Sequence, residues 1–448
     1  MEPLGQSFGR IFAPARSVMG AEDAVSIMRS GNARRDSLLP VGGLRSYGDS
    51  CLNSDGALVD MRGVDRLLGF DPETGFLEAQ AGLPLPAMIA AGAPHGYFPP
   101  VVPGTQFVTL GGMIANDVHG KNHHRRGTFG RHVVSLDLLR SDGVTYRCSR
   151  DENPNLFAAT IGGMGLTGVI LSATVRMMRV ASLDVAETAT PFGSLADYFD
   201  LAPAVDDDNE YAVAWIDQLA GGAGAGRGVL LAGNHAPEGA RVARPAGGRL
   251  GVPVQPPVNV LNRPFLRMFN AAYRTSRTRR AGRLSGYQGF FFPLDGVRHW
   301  NRLYGPRGLF QHQSVVPDAA ARDAIPAMFD AARRAGHGSF LTVLKRFGKL
   351  PSPGILSFPR PGYTLTLDFP NAGASTLRLL DDLDAIAVEA GGAVNPYKDA
   401  RMGPATFAAS FPRWRELEAR RDAALMSDFW KRTAERLDRS QDHPMAAE

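Results

Sequence analysis

The sequence predicts an α+β fold in more than one domain, on three observations. At 448 residues the chain is longer than a single core usually grows, which favours two or three domains. Short runs of strand length alternate with glycine turns and with segments of helical period. No strand-like run leads into Gly-x-Gly-x-x-Gly at a helix start, and there is no Walker sequence. A Rossmann or P-loop nucleotide site is therefore not supported.

The elements follow in order. Ala21–Ser30 reads as a helix because Ala21, Ala24, Val25 and Met28 recur at helical spacing. Leu38–Val41, Ala57–Asp60 and Phe76–Gln80 are short apolar runs closed by turn residues and read as strands, and Leu85–Ala91 reads as a helix. Val133–Arg140 and Val169–Met177 complete the first set of strands. The uncharged tract Leu156–Val175 has the length of a membrane span, but it holds Gly162, Gly163, Gly165, Gly168 and three threonines. It reads instead as a glycine loop running into a buried strand. Composition shifts near Ala181, with the acidic run Asp206, Asp207, Asp208 and Glu210. A second set of strands is expected at Ala212–Ile216, Gly286–Phe292, Phe310–Val316, Phe340–Lys345 and Tyr363–Phe369, packed by helices at Ala319–Ala335 and Ala374–Ala390. The last fifty or so residues read as helical after Pro412.

Composition narrows the function classes. Cys51 and Cys148 are the only cysteines, too few for a disulfide framework and without zinc-ligand spacing, so a reducing compartment is expected. The first twenty residues interleave Glu2, Arg10 and Arg16 with apolar residues, so no secretory signal is apparent and the cytoplasm is the expected location. Net charge is +5, yet residues 239–284 hold ten arginines and no Lys, Asp or Glu, which leaves −5 for the remainder. Within that tract Phe265, Phe269, Ala272 and Tyr273 fall at helical spacing ahead of Arg274, Arg277, Arg279 and Arg280. Two readings stand: peripheral contact with the inner membrane surface through 239–284, or a mobile solvated insertion rich in proline. Nucleic acid is not an expected partner, since no recognition helix or base-stacking aromatic series accompanies the basic charge.

Four glycine-centred segments carry the strongest signal: Val41-Gly-Gly-Leu-Arg-Ser-Tyr-Gly-Asp49, Pro103-Gly-Thr105, Leu110-Gly-Gly-Met-Ile-Ala-Asn-Asp-Val-His-Gly-Lys121 and Ile161-Gly-Gly-Met-Gly-Leu-Thr-Gly-Val169. Glycine removes the Cβ barrier to close backbone approach, and successive amides of such turns hold a pyrophosphate without any lysine. His119 and His123 have the spacing of a helical metal pair. Gly120 interrupts the helix and no Glu follows the first histidine, so no metal is expected.

In order and wording these segments resemble the vanillyl-alcohol-oxidase-like FAD-linked oxidoreductases and, more narrowly, the oxidase subunits of decaprenylphosphoryl-β-D-ribose 2′-epimerases. The resemblance runs through Gly-Leu-Arg-Ser-Tyr-Gly-Asp, Val-Pro-Gly-Thr and the His119–His124 run His-Gly-Lys-Asn-His-His. It returns in Trp300-Asn301-Arg302-x-Tyr304-Gly305-Pro306, Gln311-x-Gln313, Phe340-Leu341-x-Val343-x-Lys345, Asp368-Phe369-Pro370 and Lys398-Asp399-x-Arg401. It implies an FAD-binding domain of the PCMH type in two parts, residues 1–182 and 393–448. Between them, at 183–392, lies an inserted α+β substrate domain, an antiparallel sheet flanked by helices, with the arginine-rich insertion at 235–285. The implied activity is FAD-dependent oxidation of the C2 hydroxyl of a polyprenyl-phosphoryl ribose by hydride transfer to flavin N5. An NAD(P)H-dependent short-chain reductase would act on the keto product.

The resemblance also implies site roles. FAD would lie against Gly42, Gly43, Leu44, Arg45, Ser46, Tyr47, Gly48 and Asp49. Further contacts would come from Pro103, Gly104, Thr105, Gly111, Gly112, Asn116, His119, Gly120, Asn122, Gly165, Gly168 and Val169. Relatives with covalent flavin attach it through a histidine where Arg45 stands, so non-covalent FAD is expected. Hydroxyl oxidation must stabilise alkoxide-like charge. Lys398 is assigned that role and the proton chemistry, with Tyr47 orienting substrate or flavin and His119 and Lys121 lining the pocket. Gln311, Gln313 and Lys345 would bind sugar and phosphate, and Trp215 would form core or pocket wall. Well-known members carry a cysteine at Thr366 and an asparagine at Thr364, so thiol-directed covalent inhibition should fail here. Two alternatives are a soluble alditol or aldonolactone oxidase of the same fold, and a flavin-free protein that binds a phosphate ligand.

Overall fold

Three parallel strands, Val18–Gly20, Leu38–Val41 and Ala57–Asp60, open the fold, with the last lying between the other two. In this computed structural model, residues 5–15, 17–245, 247–248, 250–279 and 282–442 are described. Glu2, Arg16 and Arg280, named above, lie outside them. Helix Ala21–Arg29 buries Ala21, Ala24 and Met28 against these strands, as its spacing predicts.

A five-stranded antiparallel sheet follows, in the spatial order Leu67–Phe70, Phe76–Gln80, Val169–Arg176, Val133–Leu139, Thr145–Ser149. The tract Leu156–Val175 divides between helix Pro154–Thr160, a turn and the strand Val169–Arg176. Among the described residues no helix is long and apolar enough to cross a membrane.

The third sheet has eight strands, mutually antiparallel: Gly282–Ser285, Val185–Phe192, Gly228–His235, Tyr211–Ile216, Thr342–Phe347, Gly362–Pro370, Leu309–Val316 and Ala393–Val394 in spatial order. Its two faces differ. Leu344, Leu365, Leu367 and Phe369 form one cluster with Ile325, Met328 and Phe329 of helix Asp318–Arg334 and with Leu379, Leu380 and Leu383 of helix Ala374–Glu389. Strand alternation sends the intervening residues to the other face. There Gln311 stands opposite Asp368, Gln313 opposite Thr366, Lys345 opposite Thr364, and Val343 between Thr366 and Trp215.

The chain then returns to its beginning. Leu425 bridges Leu38, Asp422 accepts from Ser141 N at 2.8 Å, and Arg421 pairs with Asp36 at 2.7 Å. Arg432 spans Asp49 and Asp399 at 2.8 and 3.1 Å. Residues after Val394 are thereby fastened to the first sixty.

Gly286–Phe292 is a correction. It forms helix Tyr287–Phe291, not a strand. Phe291 meets Phe98 and Tyr211, and Phe290 also meets Tyr211, so adjacent aromatic residues are buried together, which strict strand alternation does not allow. Short apolar runs do not distinguish strand from helix by period alone. Strands Val185–Phe192 and Gly228–His235 and helix Leu195–Asp208, capped by Ser194, were not foreseen.

The arginine-rich tract contains helix Arg263–Thr278. Its aromatic stripe is not free. Tyr273 packs on Trp215 at 4.8 Å, Phe269 on Phe340 at 5.1 Å, and Arg277 and Arg283 both pair with buried Glu187 at 3.1 Å. What this tract exposes instead is Val242, Leu250, Val254, Val258, Met268 and Leu284, between 62% and 76% accessible.

Candidate active site

The glycine loops pack on one another before they can face anything else. A Cβ on Gly42 would lie 2.1 Å from Thr109 Oγ1, on Gly43 2.2 Å from the Phe107 carbonyl, and on Gly48 1.7 Å from the Asp399 carbonyl. These glycines let the first loop close against residues 107–109 and against the segment that carries Lys398. Gly120 is similarly tight against Val102 O, and Gly168, at φ +157°, against Leu138. Gly165 (φ +75°) needs the left-handed region, as does Leu44 at φ +51°. Gly104 differs: nothing lies within 4 Å of its missing Cβ, so the Pro103–Gly104 turn faces open space.

Closure leaves unmet backbone donors. The N–H groups of Gly43, Leu44 and Ser46 make no hydrogen bond among the described residues, whereas that of Tyr47 donates to Tyr397 O at 3.1 Å. Ser50 Oγ, Gln106 Oε1 and Asn122 Oδ1 are likewise buried without partners among the described residues. Unpaired loop amides suit a diphosphate and unpaired side-chain oxygens suit hydroxyl donors, the polar groups of a dinucleotide. Other predicted contacts are already engaged. Gly111 N donates to Ala81 O, Gly112 N to Thr109 Oγ1, and Thr105 Oγ1 to Asp295 at 2.8 Å. The Asp49 carboxylate is held by Arg432, and Asn122 Nδ2 donates to Pro100 O and Glu210. Asn116 ends helix Leu110–Ala115, and Val169 begins its strand, buried against Leu139. Arg45 lies over the rings of Phe8 and Phe107.

Across from the loops, the polar face of the large sheet meets Tyr47. Lys398 Nζ sits 4.4 Å from the centre of the Tyr47 ring. Gln311, beside the Tyr47 hydroxyl, donates to Asp368 Oδ1 at 2.5 Å, while Asp368 Oδ2 and the Tyr304 hydroxyl are buried without partners among the described residues. Gln313 donates to Thr364 Oγ1 and to His119 Nε2, each at 3.1 Å, and Lys345 Nζ lies 3.3 Å from His119 Nδ1. Lys121 turns away from this cluster, donating to Phe290 O over the Phe290 ring. Trp215 is covered by Tyr273 and forms wall. His123 accepts from Gly348 N at 3.1 Å and packs on Phe347, and His124 bonds Asn209 O at 3.0 Å. Both are structural. No cluster of candidate metal ligands occurs among the described residues.

Burial governs the charges. It lowers Lys398 to about 8, opposed by the nearby Asp368 carboxylate. Lys345 is lowered to about 7 by burial and then by Lys121 and Lys398. Lys121 is lowered to about 7, mainly by burial. Burial raises Asp368 to about 7 against the pull of Gln311 and Lys398. His119 is driven well below its usual value by burial and then by Lys345, and the Tyr47 phenol well above its own by burial and then by Asp368. A cluster of cationic or easily protonated amines around the buried Asp368 carboxylate suits an anionic substrate whose reacting oxygen gains negative charge.

Asp368, Tyr304 and Asn395 are the members of the site that residue-level reading did not single out. Asp368 was visible as part of Asp-Phe-Pro, and strand alternation from Thr364 and Thr366 puts it on their face. Asn395 has no such signal.

Fold and site together define an FAD-dependent oxidoreductase. The FAD binding domain family matches residues 18–149. The chain is 34% identical over 445 residues to decaprenylphosphoryl-beta-D-ribose oxidase of Mycolicibacterium smegmatis, covering 95% of this chain and 96% of that protein. It is 35% identical over 360 residues to an uncharacterized protein in the mprA 5′ region of Streptomyces coelicolor, covering 76% of this chain and 96% of that one. With L-gulonolactone oxidase of Mus musculus it shares 30% identity over 151 residues, 34% of this chain and 33% of that protein. The chain belongs to the decaprenylphosphoryl-ribose oxidase family.

Proposed function

We propose that this protein oxidises the C2 hydroxyl of a polyprenyl-phosphoryl-β-D-ribose to the 2-keto sugar, the first half of epimerisation to an arabinose donor. The observation that carries the reading is similarity to decaprenylphosphoryl-beta-D-ribose oxidase along 96% of that protein, which takes in the sheet face bearing Gln311, Gln313, Lys345 and Asp368 as well as the glycine loops. Similarity to L-gulonolactone oxidase spans only 151 residues and carries less weight for a soluble sugar substrate.

Bound FAD supplies the oxidant, taking a hydride from the carbinol carbon. The chain's own residues do the rest. The amides of Gly43, Leu44 and Ser46 would hold the diphosphate. Tyr47 forms the floor under Lys398, whose ammonium stabilises negative charge developing on the substrate oxygen. Lys345 and Lys121 add positive potential for the substrate phosphate. Arg45 in place of an attaching histidine supports a dissociable cofactor. Residues 1–182 with 393–448 would act as the FAD domain and 183–392 as the substrate domain.

An NAD(P)H-dependent short-chain reductase would consume the keto product. The protein would act in the cytoplasm, touching the inner membrane surface through the exposed apolar residues of 239–284. Deletion of 240–283 should then weaken vesicle binding while sparing FAD, and unchanged binding would remove that contact. For the reaction, anaerobic addition of synthetic polyprenyl-phosphoryl ribose to the yellow protein should bleach the flavin. Bleaching by free aldonolactones alone would select the soluble-substrate oxidase, and a colourless protein that FAD cannot reconstitute would select the binding protein.

A further inference from the structure

The sheet face that carries Gln313 and Lys345 continues beyond them. Across neighbouring strands Gln313 stands opposite Thr366, Thr366 opposite Val343, Val343 opposite Trp215 and Trp215 opposite Val229. One strand's width turns a polar surface into an apolar one. A second row on the same face runs from Val213 to Leu231 and Ala189, and Lys345, two residues from Val343, points the same way. The apolar rows form one cluster with Tyr273 of helix Arg263–Thr278.

This strip is covered but not sealed. Ala189, Val213, Trp215 and Leu231 keep between 6% and 9% exposure beneath the helix, whereas Leu344, Leu365, Leu367 and Phe369 on the opposite face of the sheet keep no more than 1%. Polar bonds hold the helix on either side of Tyr273: Asn270 Nδ2 donates to Asp217 Oδ1 at 2.8 Å, and Arg277 pairs with Glu187 at 3.1 Å. Between those ties the Tyr273 ring lies on Trp215 at 4.8 Å. The far end is open. Strand Gly282–Ser285 pairs with Val185–Thr188 and no farther among the described residues, and Pro191, next after Ala189 on the strip face, is exposed.

We propose that this strip seats the isoprenoid chain of the substrate, which lies between the sheet and helix Arg263–Thr278 in the place of the Tyr273 ring and leaves past Pro191. The proposal deepens the oxidase reading above and rests on it. In a polyprenyl-phosphoryl ribose the phosphate is carried on the carbon next to C2. A sugar held at Lys398 and Gln313 therefore turns its phosphate toward Lys345 and its hydrocarbon onto Val343 and Trp215. From the strand of Val343 to that of Ala189 there are three inter-strand spacings, about 14 Å, along which the chain is removed from water. A free aldonolactone has nothing to place there.

Two measurements on the FAD-loaded full chain test the proposal. In the first, farnesyl-phosphoryl 2-deoxyribose with a diazirine in its first isoprene unit is bound and irradiated, and its adducts are mapped by mass spectrometry. Lacking the C2 hydroxyl, this probe labels without turnover. Adducts on Val213, Trp215, Leu231 or Tyr273 are expected, and adducts confined to other residues, or none, overturn the proposal. In the second, the concentration for half-maximal flavin reduction is compared between farnesyl-phosphoryl and ethyl-phosphoryl ribose. Leu231→Ala should raise the farnesyl value about tenfold more than the ethyl value, and Tyr273→Ala, which clears the strip, should lower the farnesyl value relative to the ethyl one. Equal changes for the two substrates, or a farnesyl-selective rise with Tyr273→Ala, overturn the proposal. Should Leu231→Ala fail to fold, labelling of the natural chain still decides. If farnesyl-phosphoryl ribose does not bleach the unmodified protein, the substrate reading fails, and the adducts still decide whether the strip takes an isoprenoid.

Discussion

The two sides of the site are built on opposite economies of packing. On the glycine side, backbone comes so close that a Cβ at Gly43 or Gly48 would sit 2.2 or 1.7 Å from a carbonyl oxygen, and main-chain amides stand among the groups that find no hydrogen-bond partner among the described residues. On the sheet side, Gln311, Gln313, Thr364 and Asp368 are buried polar side chains bonded to one another, and the unmet groups are side-chain atoms. Recognition on the first side should therefore be sensitive to side-chain size and indifferent to charge. On the second it should be sensitive to charge and hydrogen bonding and more tolerant of size.

The largest expected effect lies on the sheet side. Lys398→Ala should retain FAD and lose about 10²–10³-fold in the rate of flavin reduction, the usual effect of removing an oxyanion stabiliser. Normal bleaching in stopped-flow would remove Lys398 from the mechanism. Next comes Arg432, which ties the first glycine loop to the segment that carries Lys398. Arg432→Met leaves the carboxylates of Asp49 and Asp399 buried without their shared partner, at a cost of about 3 kcal/mol or more, read as a lower denaturation midpoint in urea. Gly43→Ala should cost about 1–3 kcal/mol by overpacking and weaken FAD retention. Thr364→Ser, which keeps the hydroxyl that accepts from Gln313, should leave FAD affinity unchanged. Equal FAD loss in both variants would break the contrast.

Acid should act on stability through the histidines. His123 is lowered to about 3, and His132 and His235 to about 4, in each case chiefly by burial. A depressed folded value means that the unfolded chain binds protons first. Their stability contribution is therefore complete above about pH 6.5 and is lost as pH falls toward 4. Thermal unfolding followed from pH 7.5 to pH 4.5 should show a declining Tm through this window, and a flat profile would contradict neutral buried histidines. The smallest effect concerns Thr366. Thr366→Cys should change turnover little and create a site for thiol-directed inhibitors that the natural residue denies them.

How much of this was legible in the sequence follows from the same contrast. Gly42–Asp49 and Gly111–Lys121 announce themselves because their glycines let backbone approach closely, whereas Pro103–Thr105 is marked by its turn residues alone, open space lying where a Cβ of Gly104 would stand. The sheet face is quieter. Gln311 and Gln313 share it by simple alternation, but their bonding to Asp368, Thr364 and Asn395 depends on which strands become neighbours, and Thr342–Phe347 reaches Gly362–Pro370 only through tertiary pairing. Helix Tyr287–Phe291 is not legible because three adjacent phenylalanines fit a strand composition as well as a buried helical turn. Membrane contact and a solvated insertion stand side by side for the aromatic stripe of Arg263–Thr278 because nothing local in the sequence records that Trp215 and Phe340 cover it.

The central claim is hydride removal from C2 of a polyprenyl-phosphoryl ribose, and isotopic substitution at that carbon tests it most directly. Anaerobic stopped-flow of the FAD-loaded protein with substrate deuterated at C2 should bleach the flavin several-fold more slowly than with unlabelled substrate, whereas deuterium at C3 should have no effect. No bleaching, or an isotope effect at C3 in place of C2, would contradict the account.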